Sequence, residues 1–421
     1  MKQKNIVVMF PYPSGRGLHI GHYYNYAIVD SFCRWWRYMG EYVNQPFGYD
    51  SFGLPAENYA REIGGDPHKI TYDNISNFRI QMKRMNTQYE EKLVTSDPSY
   101  YKWTQWIFNK LKEHDLAYKD WKTVSYCTGC ETVLANEQVN NECCKRCGSS
   151  VNQQNLHQWF FRITKYKDRL IKNLDYIDYP ESTIKKQRNW LNNLHDWCVS
   201  RQRKWGCPIP ISGENDTLDT FVDSSFYYLR YLTNSKDEFL PNADYRPVDL
   251  YVGGSEHSCM HLIYARFIHM FLYDIGIVPQ EEPFNKVIHQ GMITNNGIKM
   301  SKSKRNVISP DDYDPDELRL YLMFIGPYEK GGEWDELKIM GIKRFLKKLR
   351  VKLDSATTGG LIIDLKPYKI MISKAIERLK PNIIVSGLMK MLNSFKDKEI
   401  SLQSANEIRK MVSCFITTEY G

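Results

Sequence analysis

A short β-branched run, Ile6-Val7-Val8-Met9-Phe10, stops at a Pro/Gly-punctuated turn, Pro11-Tyr12-Pro13-Ser14-Gly15-Arg16-Gly17, and gives way near His19 to helix-forming sequence. Nothing else in the chain restricts its fold as much. The run reads as a buried parallel strand, and the helix expected from about Ile20 to Tyr38 carries Tyr23, Tyr26, Ala27, Val29, Phe32 and Trp36 on one stripe. Gly40 ends it, and Glu41 to Phe47 reads as the next strand. Strand, helix and strand in this order form a right-handed crossover of a parallel, doubly wound sheet whose carboxyl edge holds ligand. His19 and His22, three apart, are expected side by side on the first helical turn. There the dipole and unpaired backbone N–H groups favour an anion. By itself such a pair is more often an ordinary surface or core feature.

Composition narrows the classes. With 421 residues, 42% of them hydrophobic, the chain can bury large cores and is expected to form two to four domains. No window approaches the ~18 apolar residues of a membrane span, so no membrane partner is expected and a cytoplasmic enzyme is. The net charge of +8 suits a polyanionic partner, although a solvated basic surface explains it equally well. Ten cysteines are too few for a disulfide scaffold. Four of them, Cys127, Cys130, Cys144 and Cys147, form two C-x2-C pairs, a spacing that suits a structural zinc with no open coordination position. Reduced cysteines that merely pack are the alternative.

Lys299-Met300-Ser301-Lys302-Ser303, in a Gly- and Asn-rich loop, together with His19-Ile20-Gly21-His22 resembles the paired signatures of class I aminoacyl-tRNA synthetases. Asp50-Ser51-Phe52-Gly53-Leu54-Pro55-Ala56-Glu57 resembles leucyl-tRNA synthetase in particular, as do the segments around the cysteines, Asp219 to Tyr228, Gly253 to His257, and Arg344-Phe345-Leu346. The resemblance implies an α/β class I Rossmann-like catalytic domain in two halves, 1–115 and 191–334. A connective insert with a zinc knuckle, 116–190, separates the halves, and a shortened anticodon-bundle-like helical domain, 335–421, follows. It implies ATP and Mg2+ as well as zinc. Catalytic roles fall to His19, His22, Lys299 and Lys302. ATP contacts fall to Gly21, Gly253, Gly254, Glu256, His257, Gln290, Gly291, Met292, Ser301 and Ser303. Amino-acid contacts fall to Met9, Phe10, Tyr12, Asp50, Phe221, Tyr227, His257 and His261, with Asp50 receiving the α-ammonium.

Two parts of the family pattern are missing. Gln187-Arg188-Asn189-Trp190, which in the family leads into an editing domain, runs here through His195 straight into Asp196-Trp197-Cys198, and the later helical bundle and C-terminal domain have no counterpart. The resemblance therefore implies activation of leucine to leucyl adenylate and transfer to the acceptor end of tRNA(Leu) without editing, with Arg201, Arg203 and the zinc module touching the acceptor stem. Lys347, Lys348, Arg350 and Lys352 are further candidates for phosphate contact. A paralogue delivering activated leucine to a carrier protein, peptide or small molecule is the alternative, and a catalytically silent binding protein the third reading.

Overall fold

The computed structural model describes residues 3–13, 17–134, 138–145, 147–300 and 308–420. The predicted crossover is present. Strand β1 (Gln3–Val8) leads through the Pro/Gly segment to helix α1 (Ile20–Tyr38) and on to β2 (Tyr42–Asn44), which pairs parallel with β1. The expected strand Glu41–Phe47 is divided: it breaks at Gln45, and β3 (Pro46–Tyr49) belongs to a separate parallel pair. Helices α2 (Leu54–Ile63) and α3 (Pro67–Arg84) precede the partner strand β4 (Glu90–Val94). At the break the Gln45 carbonyl accepts from Glu90 N–H at 3.0 Å, handing the backbone from the β1 ladder to the β4 pair, while its side chain turns inward and donates to Asp30 at 3.1 Å.

On its other side β1 pairs parallel with Leu250–Gly254, which pairs with Val287–Gln290. The sheet order thus reverses at β1, joining residues some 240 positions apart, and the crevice at the carboxyl ends of β1 and Leu250–Gly254 is the natural ligand site of such a sheet. Between the halves, α4 (Pro98–Glu113) leads to a long antiparallel ribbon of β5 (Ala117–Cys127) and Val151–Phe161, paired along their full length with the cysteine knuckle at the tip.

α1 shows one apolar stripe in sequence but is buried almost all round. The sheet covers one side and the helical C-terminal part covers the other: Trp35 stacks on Phe415 and donates from Nε1 to Ser373 Oγ at 3.1 Å. Residues 335–420 therefore share one core with α1. The helix Thr417–Tyr420 is fastened to the helix Pro315–Phe324 by Asp316, whose carboxylate accepts the N–H groups of Thr417, Thr418 and Glu419. Among the described residues no helix is long and apolar enough to cross a membrane.

Candidate active site

His19 is the N-cap of α1, one residue before the helix, and its ring stacks on His22 with centroids 3.9 Å apart. The two form a reciprocal cap: Gly21 N–H donates to His19 Nδ1 (3.0 Å) and His19 N–H donates to His22 Nδ1 (3.2 Å). The backbone donors expected to greet an anion are thus in part already used. Because each Nδ1 accepts, each neutral ring keeps its proton on Nε2, so the imidazoles themselves can donate to an anion. The motif's glycine is steric. A Cβ at position 21 would stand 2.9 Å from His19 Cε1.

Asp50 follows β3, with its backbone N–H held by Pro11 O at 3.0 Å, so it lies against the segment leaving β1. It is 1% exposed. Thr220 and Thr95 hydroxyls donate to Oδ1 at 3.2 and 3.5 Å, while Oδ2 is buried with no partner. Burial pushes the carboxyl up to about 8 despite those two hydroxyls. A carboxylate that lacks a cation in the free protein is suited to receive one.

Around it stands an aromatic wall. Phe10 stacks on Tyr227 (3.8 Å between centroids), Tyr227 and Tyr251 share a hydroxyl hydrogen bond of 2.8 Å, and Tyr251 OH reaches His261 Nε2 at 2.6 Å. Burial and the neighbouring His257 push His261 down to about 3, which keeps its ring neutral. Tyr227 is fully buried, so it backs Phe10 and does not itself face an open pocket. Met9 carries the floor, its carbonyl accepting from Tyr26 OH at 3.2 Å, and Tyr12 is half-buried. Phe221 lies in the helix Thr220–Ser224, capped by Asp219, and meets Tyr264 edge-on.

Gly253 and Gly254 end their strand buried, in register with His289 and Gln290. Glu256 is exposed and His257 half-buried in the turn that follows. A cavity of about 700 Å³ opens here between Ser255, His289, Gln290, Met292, Thr294 and Lys330. Gln290 Oε1 is buried there without a partner, a polar atom a nucleotide could meet, and Gly291 closes the floor against Gly331. The stretch Ile293–Lys299, expected as a loop, is a β-hairpin turning at Asn296-Gly297. Ser301, Lys302 and Ser303 lie outside the described residues, and Lys299 is described by its backbone alone.

One expected tRNA contact is corrected. Arg201 is 2% exposed and donates to Asp219 at 2.5 Å, so it braces the helix that carries Phe221 and does not reach an acceptor stem. Arg350 is exposed and forms a two-bond surface pair with Glu419. Sequence reasoning also missed Asp223, a second buried carboxyl that accepts from Thr104 at 2.7 Å and is raised by burial and by Asp50. A short polar residue in an aromatic helix gives no periodic signal.

The sulfurs of Cys127, Cys130, Cys144 and Cys147 all lie within 4.8 Å of one another. Tetrahedral zinc, with sulfur at ~2.3 Å, spaces them at about 3.8 Å, so the cluster fits that metal. Cys143 is exposed and outside the cluster. Among the described residues only Leu134, Val139 and Val151 pack around it, too few to hold the knuckle unaided. Removal of metal by a chelator, or Cys144→Ser, is expected to open residues 128–150 to protease while the base of the ribbon stays protected. Limited proteolysis with metal analysis checks this.

Parallel strands meeting at a switch point, paired imidazoles at a helix cap and a buried carboxylate in an aromatic wall define a nucleotide-using α/β enzyme. Residues 5–343 match the family described as tRNA synthetases class I (M). The leucine–tRNA ligase of Clostridium botulinum (strain Hall) is 30% identical, covering 99% of this chain and 84% of that protein. That of Clostridium perfringens (strain SM101) is 30% identical over 83% of the chain and 74% of the relative. Among solved structures, the Agrobacterium radiobacter K84 agnB2 LeuRS in complex with tRNA and LeuAMS superposes with a TM-score of 0.90 at 24% identity, over 99% of this chain and 84% of that one. Mycobacterium tuberculosis methionyl-tRNA synthetase bound by methionyl-adenylate gives 0.77 at 18%, over 99% and 92%. The chain therefore belongs to the class I aminoacyl-tRNA synthetases, and within them to the leucine–tRNA ligase family. It is an enzyme of the aminoacyl-tRNA ligase type, and enzymes of this class use ATP and Mg2+.

Proposed function

We propose that this chain joins leucine to ATP as leucyl adenylate and passes the leucyl group to tRNA(Leu), without an editing step. Asp50 carries the reading: a buried carboxylate with a partnerless oxygen, at a strand end beside Phe10 and the neutral His261, suits the α-ammonium of an amino acid with an aliphatic side chain. The leucine carboxylate attacks the α-phosphorus, the bond to pyrophosphate breaks, and no proton moves. The protein's part is positioning and charge neutralisation, by His19 and His22 Nε2 donors and by Lys299 and Lys302. Met9, Phe10, Tyr12, Phe221, Tyr227, His257 and His261 shape the amino-acid side, and Gly21, Gly253, Gly254, Glu256, Gln290, Met292, Ser301 and Ser303 the nucleotide side. Mg2+ would neutralise pyrophosphate charge. Among the described residues the cysteine knuckle is the sole cluster of metal-ligating side chains, which suits an ion that arrives with its phosphates.

Absence of editing is supported at the junction itself. The helix Glu181–Asn192 passes through Asn193–Asp196 directly to Trp197–Cys198, and the alignment to the Clostridium botulinum (strain Hall) relative spans 683 positions where this chain has 421 residues. One missing or misplaced methylene in an apolar pocket discriminates by only ~10- to 200-fold. Isoleucine, methionine and norvaline are therefore expected to be activated within roughly that factor of leucine, and their esters to persist. Amino-acid-dependent ATP–pyrophosphate exchange measures this, and discrimination above about ten-thousandfold would defeat the argument.

A further inference from the structure

Helix α3 contributes no group to the reaction above, yet three of its side chains are tied to the segment before His19 and to the turn Pro310–Asp312 with Tyr313 after it. Asn74 Nδ2 donates to Pro13 O at 2.9 Å, just before the Pro/Gly turn. Two helical turns later, Gln81 Oε1 accepts the N–H of Leu18 at 2.6 Å, and Gln81 Nε2 donates to Asp311 Oδ2 at 2.8 Å. Arg84 donates from Nη1 to Asp311 Oδ1 and from Nη2 to Tyr313 O, both at 2.9 Å. Leu18 leads into His19, and Asp311 sits in the turn that follows the second signature. Gln81 is 8% exposed and so closely packed that a Cβ on Gly17 would stand 2.9 Å from its Oε1.

One buried amide thus joins the approach to the first signature to the turn Pro310–Asp312, accepting on one side and donating on the other. We propose that Gln81 is a positioning residue of the adenylation reaction, fixing Leu18, and with it the His19–His22 turn, against the turn at Asp311. The inference rests on the amino-acid-activating reading above. Gln81 touches no reacting atom. Its effect is geometric, and an ångström of misplacement in such a site costs on the order of a hundredfold in rate.

The test is leucine-dependent ATP–pyrophosphate exchange by the full chain and its variants Gln81→Leu, Gln81→Glu, Asp311→Asn and the double variant Gln81→Glu/Asp311→Asn. Each single change is expected to lower kcat by about 10- to 100-fold with the leucine KM within about twofold. Gln81→Glu sets two carboxylates against each other, and Asp311→Asn sets an amide nitrogen against the Gln81 donor or against Arg84. The double variant exchanges donor and acceptor. The new carboxylate still accepts from Leu18 and now accepts from the new amide, whose oxygen still accepts from Arg84. Its kcat is expected to return to within about threefold of the parent. A merely structural role would move kcat, leucine KM and thermal stability together, with the two changes additive. Additive loss in the double variant, or single variants with parental kcat, overturns the proposal while the parent's activity upholds the reading beneath it. A parent chain without amino-acid-dependent exchange overturns both.

Discussion

Asp50→Asn is expected to lower kcat/KM for leucine activation by roughly 30- to 5,000-fold, the ~2–5 kcal/mol lost when one partner of a buried charge pair is removed. The amide keeps the shape of the site and can still accept from Thr220, but it cannot neutralise an α-ammonium. The pH dependence follows from the same burial. In the free chain Asp50 keeps its proton up to about 8, so the α-ammonium of the leucine zwitterion must displace it. Leucine affinity is therefore expected to fall about tenfold for each pH unit below about 8 and to level off above it, and Asp50→Asn to flatten that profile. Stability runs the other way. The unfolded chain loses this proton near the ordinary carboxyl value while the folded chain holds it to about 8, so stability conferred by the neutral form is present at low pH and declines between about 4 and 8. Binding isotherms and denaturant melts at several pH values check both limbs.

Arg319→Met is expected to destabilise the fold by about 3–5 kcal/mol. Arg319 is fully buried and donates to Asp30 Oδ2 at 2.9 Å, as well as to Ala27 O, Ser31 Oγ and Met85 O. Asp30, also fully buried, is left with Arg34 (2.9 Å), Gln45 and the Gln88 N–H. Burial raises this carboxyl, but Arg319 and Arg34 outweigh it and hold it below the usual range. Its contribution is thus present above the ordinary carboxyl pKa and is lost as pH falls through the lowered folded value. Because Asp30 also pairs with the buried Arg34, Asp30→Leu/Arg319→Met leaves that guanidinium without its carboxylate and is expected to lose at least as much as Arg319→Met alone. Urea unfolding of the two variants decides it.

These two carboxylates show what sequence could and could not disclose. Helix α1 was legible to the residue because its stripe, Gly40 and the preceding Pro/Gly turn are local signals. Asp30, on the same helix, was invisible, since its partners Gln88 and Arg319 come from distant segments. Asp50 was singled out through the word around it. Its hydroxyl donors Thr95 and Thr220 are ordinary residues made specific only by folding. The cysteine knuckle was fully legible, because metal geometry constrains spacing directly. Arg201 was misread for the opposite reason: a basic residue on a short strand looks solvent-facing until Asp219 is seen beside it.

The acceptor is the central claim's most exposed point, and one incubation addresses it: purified chain, ATP, magnesium and labelled leucine with total RNA and protein from its source. The account predicts acid-precipitable label that ribonuclease removes and protease does not, with AMP formed in step. Label removed by protease, or recovered on a small molecule, would contradict it in favour of a different acceptor. Absence of both label and AMP would contradict the adenylation itself.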